Sequence, residues 1–188
     1  MAYGAVTKPP SAAAPSAQAQ AAKARAAALL SAPLLGHAND LVAAAAHEAG
    51  HAVVALALGY HVRHLSACGE SCITRPAPSG VDGAAIALAG ALGENRDLLL
   101  RAVKCDDLRE VQRLVSPGDW ELLVRDAKLG ERGSRWRLRE GETLALLCLG
   151  VNRRAHEAFK SALLRTLYGS LDEADVAALW AVYGEGGD

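Results

Sequence analysis

The sequence carries no charge surplus: 20 Lys and Arg against 21 Asp and Glu leave a net charge of −1. Nucleic acid and anionic lipid are therefore not among the expected partners. There is no cysteine framework either. Four cysteines are spread through 188 residues, and no basic start followed by an apolar block precedes them as a secretory leader would. A reducing, cytoplasmic setting is expected. Cys68 and Cys72 flank Gly69-Glu70-Ser71 and could face each other across a hairpin turn; they are read as ordinary thiols. Nor does a convincing membrane span occur. The run from Leu41 to Tyr60 is long enough but holds two histidines and a glutamate at its centre, and the run from Val81 to Leu92 is too short. Acidic residues are missing before Asp40, as in some organellar transit peptides, but only one arginine lies there, so this stretch reads as a linker. No G-x-x-x-x-G-K-[S/T] phosphate loop is present.

What is present is apolar: 51% of the residues, enough for one good core or one domain with a tail. Residues 1–36 are rich in Ala, Pro and Ser and cannot bury enough surface to offset their ordering entropy, so disorder is expected. Within them, Gln18 to Leu30 can form a helix, docked or free. Residues 37–188 are read as the folded domain.

That domain is organised around His47-Glu48-Ala49-Gly50-His51, set among alanines and aliphatics from Leu41 to Gly59. The surroundings predict a buried helix, with Asn39 or Asp40 as N-cap and Gly59 as terminator. Burying unpaired polar groups costs about 2–7 kcal/mol each, so two imidazoles and a carboxylate need a reason to be there. At helical pitch His47 and His51 share a face one turn apart. Two imidazoles so placed can bind one zinc, with Glu48 beside them to take a proton from water.

The stretch from His61 to Val81 is broken by Gly and Pro and reads as two or three short strands including a hairpin. His61 and His64 lie on it, as surface residues or as further ligands. A second apolar helix is predicted from Val81 to Lys104; its small residues, among them Gly90 and Gly93, suit close packing on the first. A third runs from about Asp106 to Val115 and is ended by Ser116-Pro117-Gly118. From Asp119 to Arg139 the chain reads as a short helix, then a loop through Gly130 and Gly133. Farther on, Leu144, Leu147, Val151, Ala155, Ala158 and Ala162 recur at helical steps as one buried stripe. His156 and Glu157 are placed on its solvated side. Ser170-Leu171-Asp172-Glu173 reads as a capping box opening a last helix to Gly184.

A catalytic zinc takes three protein ligands and keeps one position open. No histidine follows His51 until His61, so the distal carboxylates Glu94, Asp97, Asp106 and Asp107 come into question. On the third helix, Asp107 lies one turn before Val111 and shares its inward face, whereas Asp106 aligns with Glu110 and Arg113. Asp107 is then either a metal ligand or a first-turn residue favoured by the helix dipole.

HEAGHAVVALAL, followed by ALAGALGE and CDDLREVQRLV, resembles the peptidase domain of the FtsH-type, AAA-linked zinc proteases. The tail TLYGSLDEADVAALW resembles that family's C-terminal helices. The resemblance implies a mainly helical α+β fold with a small β-hairpin, Zn2+ held by His47, His51 and Asp107, and Glu48 as the base. Glu94 is the alternative third ligand. The His51-to-Asp107 spacing is shorter than the family's, as if a loop were trimmed, and the family's nucleotide-binding domain and membrane anchor are missing. The expected activity is therefore ATP-independent hydrolysis of flexible or unfolded polypeptides, presented along the hairpin's edge strand. Beyond substrate, the expected partner is a second copy or a separate protein. Two rival readings stand beside it. One is a non-proteolytic scaffold whose zinc is closed by a fourth ligand, such as Cys105 or a hairpin histidine. The other is a regulatory protease with one dedicated partner.

Overall fold

The structure, a computed structural model, describes residues 16–34, 39–68, 72–73, 77–130, 134–166 and 168–185. It is mainly helical with one small antiparallel sheet, as the sequence predicts. In order the elements are α1 (Ala17–Ser31), α2 (Asn39–Ala57), β1 (Val62–Ser66), β2 (Cys72–Ile73), α3 (Gly80–Lys104), α4 (Leu108–Leu114), α5 (Pro117–Asp126), α6 (Ser134–Val151), α7 (Arg153–Leu163), β3 (Ser170–Asp172) and α8 (Glu173–Tyr183). The sheet runs β2-β1-β3, with His64 opposite Cys72 on one side and Asp172 on the other. The expected hairpin thus gains a third strand from far along the chain. The turn between Cys68 and Cys72 lies outside the described residues, as do residues 1–15, where the composition predicts disorder. Among the described residues no helix is long and apolar enough to cross a membrane.

Helices α2 and α3 form the centre. Both are rich in small buried residues: Ala45, Ala49 and Ala52 on α2, and Ala85, Ala87, Ala89 and Ala91 on α3, are all fully buried. Small side chains alone do not explain how closely the two approach. A Cβ at Gly50 would overlap the Ala89 carbonyl, and one at Gly93 would lie 2.7 Å from the Ala46 oxygen. On the far side of α3, a Cβ at Gly141 of α6 would sit 2.8 Å from Ala84 Cβ. Glycines therefore set the spacing of all three helices.

Several elements differ from expectation for local reasons. Helix α2 starts at Asn39, so the two residues expected as caps form its first turn; the preceding position is not described. Helix α1 lies inside the stretch expected to be disordered and takes the docked one of the two states left open for it: Arg25 reaches Asp172 at 2.9 Å and Asp175 at 2.6 Å, and Ala26 is buried. The capping box that opens α8 is Asp172 with Asp175, two residues later than predicted, because Ser170 and Leu171 are taken up by β3. The predicted single stripe through α6 and α7 is broken at Asn152, buried with its side-chain amide donating to the Cys148 carbonyl and its oxygen accepting from the Glu185 N–H. On α6 itself Leu147 and Val151 face outward, 61% and 64% exposed, while Leu138 and Ala145 face inward. His156 is not on a solvated side: its Nε2 lies 3.0 Å from the Ala46 carbonyl, one residue before His47.

Two glycine substitutions separate packing from backbone entropy. Gly50→Ala forces a methyl into backbone and should destabilise the fold by at least ~3 kcal/mol, the upper end for overpacking. At Gly150, also helical, a methyl would meet no atom within 4 Å, so Gly150→Ala should stabilise by ~0.5–1 kcal/mol. Urea melts of the two variants check both signs.

Candidate metal centre

Two helices, α2 and α5, bring their side chains together over the middle of α3. His47 and His51 extend from α2 with ring centroids 4.7 Å apart, nearly perpendicular. Facing them is Asp119, in the first turn of α5: its Oδ2 lies 3.0 Å from His47 Nε2 and its Oδ1 3.2 Å from His51 Nε2. One donor atom from each residue lies within 4.8 Å of the others, so the group can hold a metal ion. Asp119 and His51 are buried, 5% and 6% exposed; an uncompensated carboxylate there would be costly.

The outer nitrogens fix which way the rings face. His51 Nδ1 is 2.6 Å from the Ile86 carbonyl, which can only accept, so Nδ1 carries the proton and Nε2 is the ligand atom of the neutral ring. His47 Nδ1 is 3.4 Å from Glu94 Oε2, a longer contact of the same sense. Both Nε2 atoms thereby point at Asp119. The floor between them is Gly90, where a Cβ would lie 2.5 Å from each Nε2. No residue but glycine leaves that space to the rings and to an ion.

The electrostatics agree. Burial works to lower the His51 pKa, but the Asp119 charge and hydrogen bond, with Glu48 adding to them, push it up to about 9. Burial works to raise the Asp119 carboxyl, but the His51 charge and the hydrogen bonds from His47, His51 and Ser116 hold it well below the usual carboxylate range. Surroundings that stabilise a proton so strongly will also stabilise a divalent cation in its place.

Glu48 follows His47 in the chain but lies outside the ligand group. Burial raises its carboxyl against the opposing pull of His51 and His47, and its Oε2 is buried without a hydrogen-bond partner. It lines, with both histidines and Asp119, a cleft of about 840 Å3 whose apolar wall includes Leu114, Val115 and Leu122. No described strand residue lines this cleft, so the expected path along the hairpin's edge strand has no wall there.

The structure does not bring Asp107 to the histidines. Helix α4 starts one residue later than the inward-face alignment requires, so Asp107 is its N-cap, exposed, with Oδ1 accepting from the Glu110 N–H at 3.1 Å. Asp106 adopts a left-handed φ of 53° and binds Arg139. Glu94, the alternative ligand, stands behind His47 rather than among the ligand atoms. Asp97 is exposed. Sequence reasoning misses Asp119 because it takes Ser116-Pro117-Gly118 only as a stop. The same residues are a start: Ser116 is the N-cap, Pro117 the first helical residue, and Asp119 the N3 residue whose N–H the serine accepts.

Metal titration distinguishes the assignments. His47→Ala, His51→Ala and Asp119→Ala should each lower the affinity for a divalent ion by at least about 100-fold, the upper end for loss of a mere outer partner of a ligand, while Asp107→Ala leaves it nearly unchanged. Tight binding by Asp119→Ala, with loss in Asp107→Ala, would reverse the reading. Compared with known proteins, the chain matches no family model, no curated protein and no solved structure.

Proposed function

We propose that the chain is a zinc-dependent endopeptidase that hydrolyses flexible or unfolded polypeptides. One observation carries this: His47, His51 and Asp119 converge within 4.8 Å beside Glu48, a half-buried residue with one buried, unpartnered carboxylate oxygen, in an open cleft. Two imidazoles and one carboxylate with a free position are the donor set of hydrolytic zinc sites. Iron oxygenases use a similar set, but a carboxylate base next to the ligands suits hydrolysis. The described residues place no fourth donor in the group. Cys105 is exposed beyond α3, and His61 and His64 are exposed near the sheet, which favours an enzyme over a closed structural site. The FtsH-type resemblance supports the reading through HEAGH alone, since the CDDL segment caps a helix.

Zinc bound there would supply Lewis acidity toward a water molecule and the scissile carbonyl. The chain's own residues do the rest. Glu48, with its carboxyl raised by burial, takes the proton of the attacking water and delivers it to the departing amine. The Ile86 carbonyl and Glu94 keep the histidine rings from turning. Leu114, Val115 and Leu122 offer an apolar surface to an extended segment and exclude water around the reacting bond.

Glu48→Gln preserves size while removing basicity. It should hold metal like the wild type and lose casein cleavage by at least ~10², the scale of a general base. ATP should leave the wild-type rate unchanged. If wild type and Glu48→Gln are equally inactive on unfolded proteins and on peptide libraries, broad proteolysis is excluded, and a protease dedicated to one partner or a zinc-containing scaffold takes its place.

A further inference from the structure

Ser116, between α4 and α5, does two things at once. Ser116 accepts a hydrogen bond at Oγ from the Asp119 N–H at 3.1 Å, as an N-cap does. The same hydroxyl donates to Asp119 Oδ2 at 2.7 Å. A cap needs only the first bond. The second engages the carboxylate that faces both histidines, at the oxygen, Oδ2, that also lies 3.0 Å from His47 Nε2, while Oδ1 faces His51. Asp119 sits on a helix only ten residues long, with Gly118 before it, so its side-chain torsions depend on local contacts. Of the partners of its carboxylate, the histidines can act as ligands themselves, which leaves the serine to hold the carboxylate in place independently of the ion.

We infer that Ser116 is a positioning residue for the metal centre: its hydroxyl fixes the Asp119 carboxylate in the orientation that sets Oδ2 against His47 and Oδ1 against His51, so that the three donors converge before an ion arrives. Without that bond the carboxylate is free to turn away from the two Nε2 atoms. This rests on the metal-binding reading above. Hydrogen bonds that orient a metal ligand in this way typically contribute 10–100-fold in metal affinity.

Three variants and three readouts test it. Ser116→Thr keeps both hydrogen bonds. Ser116→Ala removes both. Ser116→Gly also removes the hydroxyl but is a far better N-cap than alanine. Zinc affinity is measured by chelator competition, the Co2+-substituted visible spectrum reports the ligand arrangement, and thermal melts before metal addition report the cap. The expected result is affinity close to wild type for the Thr variant and a loss of about 10-fold or more for both the Ala and Gly variants. In those two variants the cobalt bands should differ from those of wild type. The Gly variant should nevertheless melt close to wild type, whereas the Ala variant melts lower. A Gly variant that binds zinc and absorbs like wild type would reduce Ser116 to a cap and overturn the inference alone. A wild type that binds neither zinc nor cobalt would instead remove the metal reading beneath it.

Discussion

Everything at the centre depends on how near α2 and α3 come to each other. Two helices usually pack about 8–10 Å apart, according to the side chains between them. Here Gly50 meets the Ala89 carbonyl directly and Gly90 lies under the two histidine rings. The approach is what allows a backbone carbonyl of α3, Ile86, to reach His51 Nδ1, and a side chain of α3, Glu94, to face His47 Nδ1. With leucines in this interface the core would be as apolar, and the outer nitrogens of both rings would lose their acceptors. Close packing of small residues and ligand orientation are thus one property of the sequence.

The hydrophobic pattern conveys the helices well because their periodicity is strong, and it conveys the histidine pair because a polar group inside an alanine-rich helix stands out. It fails where the decisive factor is a single backbone angle or hydrogen bond. Whether Asp107 is the first residue of α4 or the cap before it changes its direction completely, and no periodicity reports that difference. Asn152 looks like any helical position until its amide is seen capping one chain segment and receiving another. Asp119 is the legible loss: Ser-Pro-Gly-Asp carries the start signal of a helix as plainly as the stop of the one before. The sheet's third strand stays hidden because three residues, Ser170–Asp172, are too few to show alternation.

The polar groups of the site are unusually interdependent. Asp119 lies low because His51 is charged beside it, His51 lies high because of Asp119, and Glu48 feels both. Removing any one leaves the others buried and uncompensated, so single substitutions here report on the group and not on one contact. Glu48 differs in having an oxygen with no partner. Keeping such a group inside a folded chain is a standing cost, and it suits the proton transfer proposed for Glu48.

The Asp119 contact also constrains the order of assembly. His47 and Asp119 are 72 positions apart in sequence, and all of α3 and α4 lies in the loop they close. Joining two such distant points in a flexible chain costs roughly 4 kcal/mol of configurational freedom on a logarithmic length law. Neither half of the site can recover that by itself. During refolding, the histidine-bearing turn can form early on its own helix, while the carboxylate arrives only after the intervening helices have condensed. The two imidazoles would therefore be in place, as a two-donor site at most, before the carboxylate joins them.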